Sequence, residues 1–205
     1  MKKGLLQIIL LTFILNLLNS FAVNAQEWKF AKENEGIKIY TRNEEGVAVK
    51  SFKGVADFRT TMDQMKKVIG RIDSFDWWDE NVKDIQVLAY EEEKFIRYYL
   101  VYDVPWPLSD RDLCVEAIIT NDPVTGKRTV KATPIEGLVP EKPDLVRIKY
   151  YWQQWVMEPV GNGLIHVELE GSVDPAGNIP SWIVNMAIAN TPLNVMTKAR
   201  NVVEK

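Results

Sequence analysis

The sequence predicts an α+β fold in which an antiparallel sheet is closed by one long C-terminal helix. Two observations predict it. From Ile85 to Val173 the chain is a nearly unbroken series of strand-like segments separated by turn residues, and from about Ile179 it changes to a single helical apolar period. Regular strands with short turns imply an antiparallel meander, and the helix is the element left to cover it.

The first 25 residues read as an export signal. Lys2 and Lys3 form a positive start, Leu5 to Phe21 is an apolar run, and Val23-Asn24-Ala25 offers small residues for cleavage, so the mature chain is expected to begin at Gln26 and to act in the periplasm or outside the cell. A spanning anchor fits less well, because the run falls short of the roughly 20 residues a helix needs and is broken by Asn16 and Asn19. Residues 26–205 then form a single domain of ordinary size. Without Lys2 and Lys3, the 25 basic residues fall to 23 against 28 acidic ones, and no basic block exists, so nucleic acid is not an expected partner. Cys114 is the single cysteine and sits in an apolar strand pattern, which makes it a buried small hydrophobe.

The elements follow in order. Gly36 to Arg42 alternates apolar and polar, Glu44-Glu45-Gly46 supplies a turn, and Val47 to Val55 extends again, which reads as a hairpin. Thr60 or Thr61 caps a short helix whose stripe is Met62, Met65, Val68 and Ile69. Strands are then expected at 85–90, 94–103, 113–120, 127–132, 145–157 and 164–173. In the last of these His166, Glu168 and Glu170 alternate with Ile165, Val167 and Leu169, giving one wet and one dry face. The final helix carries Val184, Ile188, Thr191, Val195, Ala199 and Val202 on one stripe, with a kink expected at Pro192.

Catalysis requires convergent titratable or metal-binding groups, and the chain offers one His, one Cys and no nucleophile, metal or phosphate-loop motif. No catalytic residue, metal or cofactor is therefore expected. Asp110-Arg111-Asp112 reads as a structural ion pair at the start of a strand. The unusual resource is aromatic: seven Trp and seven Tyr, grouped at Trp77-Trp78, Tyr98-Tyr99, Trp106 and Tyr150-Tyr151-Trp152 with Trp155. With a few polar groups such as Arg97, Gln154 and Thr191 they suit a mostly apolar pocket.

Four segments in order resemble the START (StAR-related lipid transfer) family: Trp78 to Leu88; Pro105-Trp106-Pro107-Leu108-Ser109-Asp110-Arg111-Asp112; Val146-Arg147 through Trp155 and Pro159; and Asp174-Pro175 with Gly177, Ile179-Pro180, Trp182 and Asn185. The resemblance implies a helix-grip fold, a curved antiparallel sheet gripping a long C-terminal helix with one lipid or other hydrophobic molecule between them. It also implies a concave wall formed by Tyr99, Val101, Ala117, Tyr150 and Trp152 together with the helix stripe. Sterol-binding members carry a buried acid at the position of Tyr99 and a buried Arg near Ala117, and both are absent here. Arg97 shares a strand face with Tyr99 and is the candidate polar anchor. The function expected is binding and transfer of a hydrophobic ligand with transient membrane contact. A cyclase- or hydrolase-like enzyme on a related fold and a ligand-free partner-binding domain are the alternatives.

Overall fold

The computed structural model describes residues 27–71 and 81–205. The segment expected to be an export signal, Trp77 and Trp78 lie outside the described residues. Ten strands form one sheet: β1 (Lys29–Asn34), β2 (Ile37–Glu44), β3 (Val47–Arg59), β4 (Val82–Glu91), β5 (Phe95–Tyr102), β6 (Arg111–Asn121), β7 (Arg128–Pro134), β8 (Val146–Arg147), β9 (Tyr150–Gly161) and β10 (Leu164–Asp174). Helix α1 (Met62–Val68) follows β3, and α2 (Ser181–Ala187) and α3 (Asn190–Val203) follow β10. The spatial order is β1-β2-β3-β10-β9-β7-β6-β5-β4, with β8 pairing parallel to β6.

Two sequence expectations change here. The stretch expected as one strand over 145–157 is divided, because residues 148–149 leave the β6 pairing before β9 joins β7. The meander also extends past β10: the chain turns back at Gly161-Asn162-Gly163, all at positive φ, and β10 pairs along β3, so the N-terminal hairpin is part of the same sheet. The N-terminal helix begins as expected, with the Thr61 side chain accepting from the Gln64 N–H, and it buries Met65 and Val68.

Strand registers fix which side chains face the helices. Phe52, Ala56 and Phe58 of β3 stand opposite Gly171, Val167 and Ile165 of β10, which align with Gln153, Met157 and Pro159 of β9. Continuing across the sheet, the inward face is Val130 and Ala132 of β7, Leu113, Val115 and Ala117 of β6, and Ile96, Tyr98 and Leu100 of β5. These residues form one core with Ile188, Val195, Met196, Ala199 and Val203 of the C-terminal helical segment. Two inward positions are glycines because side chains pass through them. A Cβ on Gly54 would collide with the Met196 sulfur, and one on Gly171 would lie 2.6 Å from the Phe52 ring.

The helical stripe is rotated from the expected one. Val202 points outward, whereas Met196 and Val203 are buried. The kink falls at residues 188–189, one turn before Pro192, because a proline removes the bond to residue i−4 and its ring crowds that carbonyl, here on Ile188. Pro192 itself sits in the first turn of α3, where a missing N–H is harmless.

Candidate functional site

Between the sheet and the C-terminal helices lies a cavity of about 250 Å³, bordered by Phe52, Tyr102, Leu113, Tyr151, Gln153, Val173, Ile179, Thr191 and Val195, among others. It occupies the end of the cup where β5 leads into β6 and β10 leads into α2. Its wall is mostly apolar, with a polar corner on β9 and further polar groups at Arg111, Ser172 and Thr191. The Tyr151 hydroxyl donates to Gln153 Oε1 at 2.7 Å, and Tyr151 and Tyr98 are hydrogen-bonded partners. Burial, reinforced by the neighbouring Tyr98 and Tyr102 hydroxyls, pushes the Tyr151 phenol well up. Burial raises Tyr98 as well, so Tyr98 and Tyr151 stay neutral hydrogen-bonding groups at any physiological pH. Tyr151 uses one lone pair of the Gln153 amide, a group with three further hydrogen-bonding valences.

Among the described residues Arg111 is the one charged residue bordering this space, and it is buried. The ion pair expected with its flanking aspartates does not form. Its Nε donates to Pro175 O at 3.1 Å, Nη2 donates to Ala176 O at 3.3 Å, and Nη1 donates to Ser109 O. Alternation explains the difference: Arg111 faces inward, so Asp110 and Asp112 face away from it. Asp110 accepts from Lys83 and the Val104 N–H. Asp112 takes a two-point contact from Arg147 at 2.8 and 2.9 Å and accepts from the Tyr99 hydroxyl at 3.0 Å. Burial pushes the Asp112 carboxyl up, but the Arg147 and Tyr99 hydrogen bonds outweigh it and hold the group below the usual carboxylate range.

The residues expected from sequence divide between the two faces. Thr191 and Val195 border the cavity, and Trp152 lies along its edge, although alternation gives its side chain the face opposite to Gln153. Ala117, Ile188 and Ala199 face inward but are packed in the solid core, and Val184 is half-buried on α2. Arg97, Tyr99, Val101 and Tyr150 do not face the helix. Tyr99 and Val101 form a second small core with Cys114, under Ile135, Val139 and Leu145 of the loop between β7 and β8. Arg97 pairs on that outer face with Glu116 at 2.7 Å, and Tyr150 alternates away from Tyr151. The physical reason is the loop: by covering the outer face of β5 and β6 it makes both faces apolar, so hydropathy does not report which is concave. In consequence Tyr151 and Gln153, the polar corner of the cavity, stood one residue away from the positions inferred. The preference of Gln153 for the inward face is visible only from the β10 register.

His166 lies on the wet face, with Nδ1 2.7 Å from Asp57 Oδ1, as part of a polar ladder with Glu168 and Lys53. Among the described residues no three His, Cys, Asp or Glu side chains converge on a point.

The START domain profile matches residues 9–205. The chain belongs to the START domain family. This START domain is 27% identical over 187 residues to an uncharacterised protein of Pseudomonas aeruginosa, covering 88% of this chain and 89% of that one. It is 27% identical over 183 residues to the phosphatidylcholine transfer protein of Rattus norvegicus, covering 82% of this chain and 80% of the relative. The crystal structure of a STAR-related lipid transfer protein fragment from Xanthomonas axonopodis superposes with a TM-score of 0.78 at 28% identity, covering 87% of this chain and 99% of that one. Human StAR-related lipid transfer protein 5 shares the fold at a TM-score of 0.75 and 16% identity, covering 98% of both chains. The helix-grip architecture expected from the four sequence segments is thus the architecture of this START domain.

Proposed function

We propose that this START domain is an exported, non-enzymatic carrier that holds a lipid or other hydrophobic small molecule between its sheet and its C-terminal helices and exchanges it with a membrane. The observation that carries the reading is the mostly apolar cavity of about 250 Å³ with a neutral hydrogen-bonding corner at Tyr151 and Gln153. Enclosing apolar surface at about 25 cal/mol per Å² supplies several kcal/mol of affinity, and one hydrogen-bonding corner orients the ligand. Names among the relatives support a lipid as the ligand class, since one of them is a phosphatidylcholine transfer protein. Export is supported by the composition of residues 1–25.

Membrane contact is supported by the surface flanking the cavity. Trp106 is 92% exposed in the corner before β6, and Trp182, Ile183 and Met186 are exposed on α2. Arg111 ties the two regions together by holding both Ser109 and the Pro175 and Ala176 carbonyls. Indole and apolar side chains presented together favour the interface of a bilayer. An enzymatic reading draws less support, because among the described residues Arg111 is the only charged side chain bordering the cavity and its three nitrogens donate to backbone carbonyls. Native mass spectrometry of protein purified from its own cell envelope tests the carrier reading. A co-purifying hydrophobic ligand at one per chain is expected. A ligand-free protein that also takes up no fluorescent lipid from vesicles would favour the partner-binding alternative.

A further inference from the structure

Among the described residues the cup is hollow at the end beside α2 and solid at the other, and this limits what it can hold. On β9 the cavity-facing series Tyr151 and Gln153 runs into Trp155 and Met157, which are buried. On β6, Leu113 is followed inward by Val115; on α3, Val195 abuts Met196, whose thioether occupies the space over Gly54. Met157, Val115 and Met196 are each 0% exposed, so no water-sized void lies against them. The far half of the cup is therefore solid side chain among the described residues, and Trp155 with Met196 stands where the space ends. At about 30 Å³ per water-sized group, the cavity of about 250 Å³ accepts on the order of eight to ten heavy atoms. Two acyl chains exceed that severalfold.

We infer that the ligand is a single-chain amphiphile of medium length, and that Trp155 and Met196 set the limit. The inference rests on the carrier reading and sharpens it. Straight-chain 1-alkanols of about six to about sixteen carbons, titrated into the wild-type protein by calorimetry, measure the limit directly. Affinity rises about fourfold per methylene while each one enters apolar space, and beyond about ten carbons the gain falls below about 1.5-fold per methylene. Met196→Ala moves the break to longer chains, whereas the volume-conserving Met196→Leu leaves it in place. Should Met196→Ala fail to fold, Trp155→Phe makes the same comparison. A wild-type affinity that climbs steadily to the longest alkanol overturns the inference, as does a folded Met196→Ala protein with an unchanged break. Extraction of a two-chain phosphatidylcholine from vesicles into a soluble one-to-one complex also overturns it while leaving the carrier reading intact. Failure of every alkanol and of phosphatidylcholine to bind removes both.

Discussion

Three backbone carbonyls, and neither neighbouring aspartate, hold Arg111, so its removal acts on the corner and not on an ion pair. Arg111→Ala removes three hydrogen bonds to part-buried backbone carbonyls, worth about 0.5–1.5 kcal/mol each, and Arg111→Lys recovers only part of the loss because an ammonium lacks the planar fork. Urea unfolding should show the ranking wild type, Lys, Ala, with unchanged ligand selectivity in both variants. A variant of full stability and altered selectivity would assign Arg111 to ligand recognition instead. Asp112 has the opposite logic. Its carboxyl titrates lower in the folded chain than the ordinary value near 3.9, so its contribution is complete above that value and is lost as pH falls through the depressed folded one. Stability should decline on acidification below about pH 4. Asp112→Asn should flatten that part of the decline and, by leaving Arg147 without its partner, lower stability at neutral pH by about 3–5 kcal/mol. An unchanged acid limb in the variant would show that other carboxylates carry it. At this scale the sequence was informative about which residues matter and silent about their partners. Arg111 and Asp112 stand out in the chain, yet whether each faces in or out depends on a strand register that adjacent tyrosines and a covering loop conceal.

Helix α2 is the element with least to hold it. None of its side chains is buried, and its tie to the sheet is Asn185, which accepts from the Lys50 N–H at 2.7 Å and donates to Ala48 O at 3.0 Å. Helix α3, in contrast, buries Val195, Met196, Ala199 and Val203 and is pinned at its end by Thr60 donating to Val203 O at 2.7 Å and by Glu204 accepting from the Arg59 N–H at 2.7 Å. On the carrier reading proposed above, opening of the cup is assigned to α2, with the irregular turn at residues 188–189 as the hinge. Asn185→Ala should raise the rate of ligand exchange with vesicles roughly tenfold, from two lost hydrogen bonds of about 0.5–1.5 kcal/mol each, and change the melting temperature little. Equal exchange rates would move the gate to the corner between β5 and β6 that carries Trp106. The helical period and the proline were both legible in the sequence. The position of the kink was not, because the strain of a proline acts four residues upstream of it.

For the whole molecule, the exposed tryptophans at 106 and 182 stand on opposite sides of the Arg111 clamp. Trp106→Ser with Trp182→Ser should abolish co-flotation with vesicles and slow ligand transfer, while leaving unfolding and equilibrium affinity for a soluble ligand unchanged. Undiminished flotation would place the membrane-facing surface elsewhere. The sheet order has a further consequence, in folding kinetics. Strand β3 acquires its second neighbour only from β10, so Phe58 waits for Ile165 and Phe52 for Gly171. Such distant closure makes folding slow, because a long loop must be ordered before the pairing rewards it. A chain emerging from the ribosome thus presents the N-terminal hairpin as an open edge until nearly all of the protein has been made, and through that stage it is exposed to edge-to-edge association.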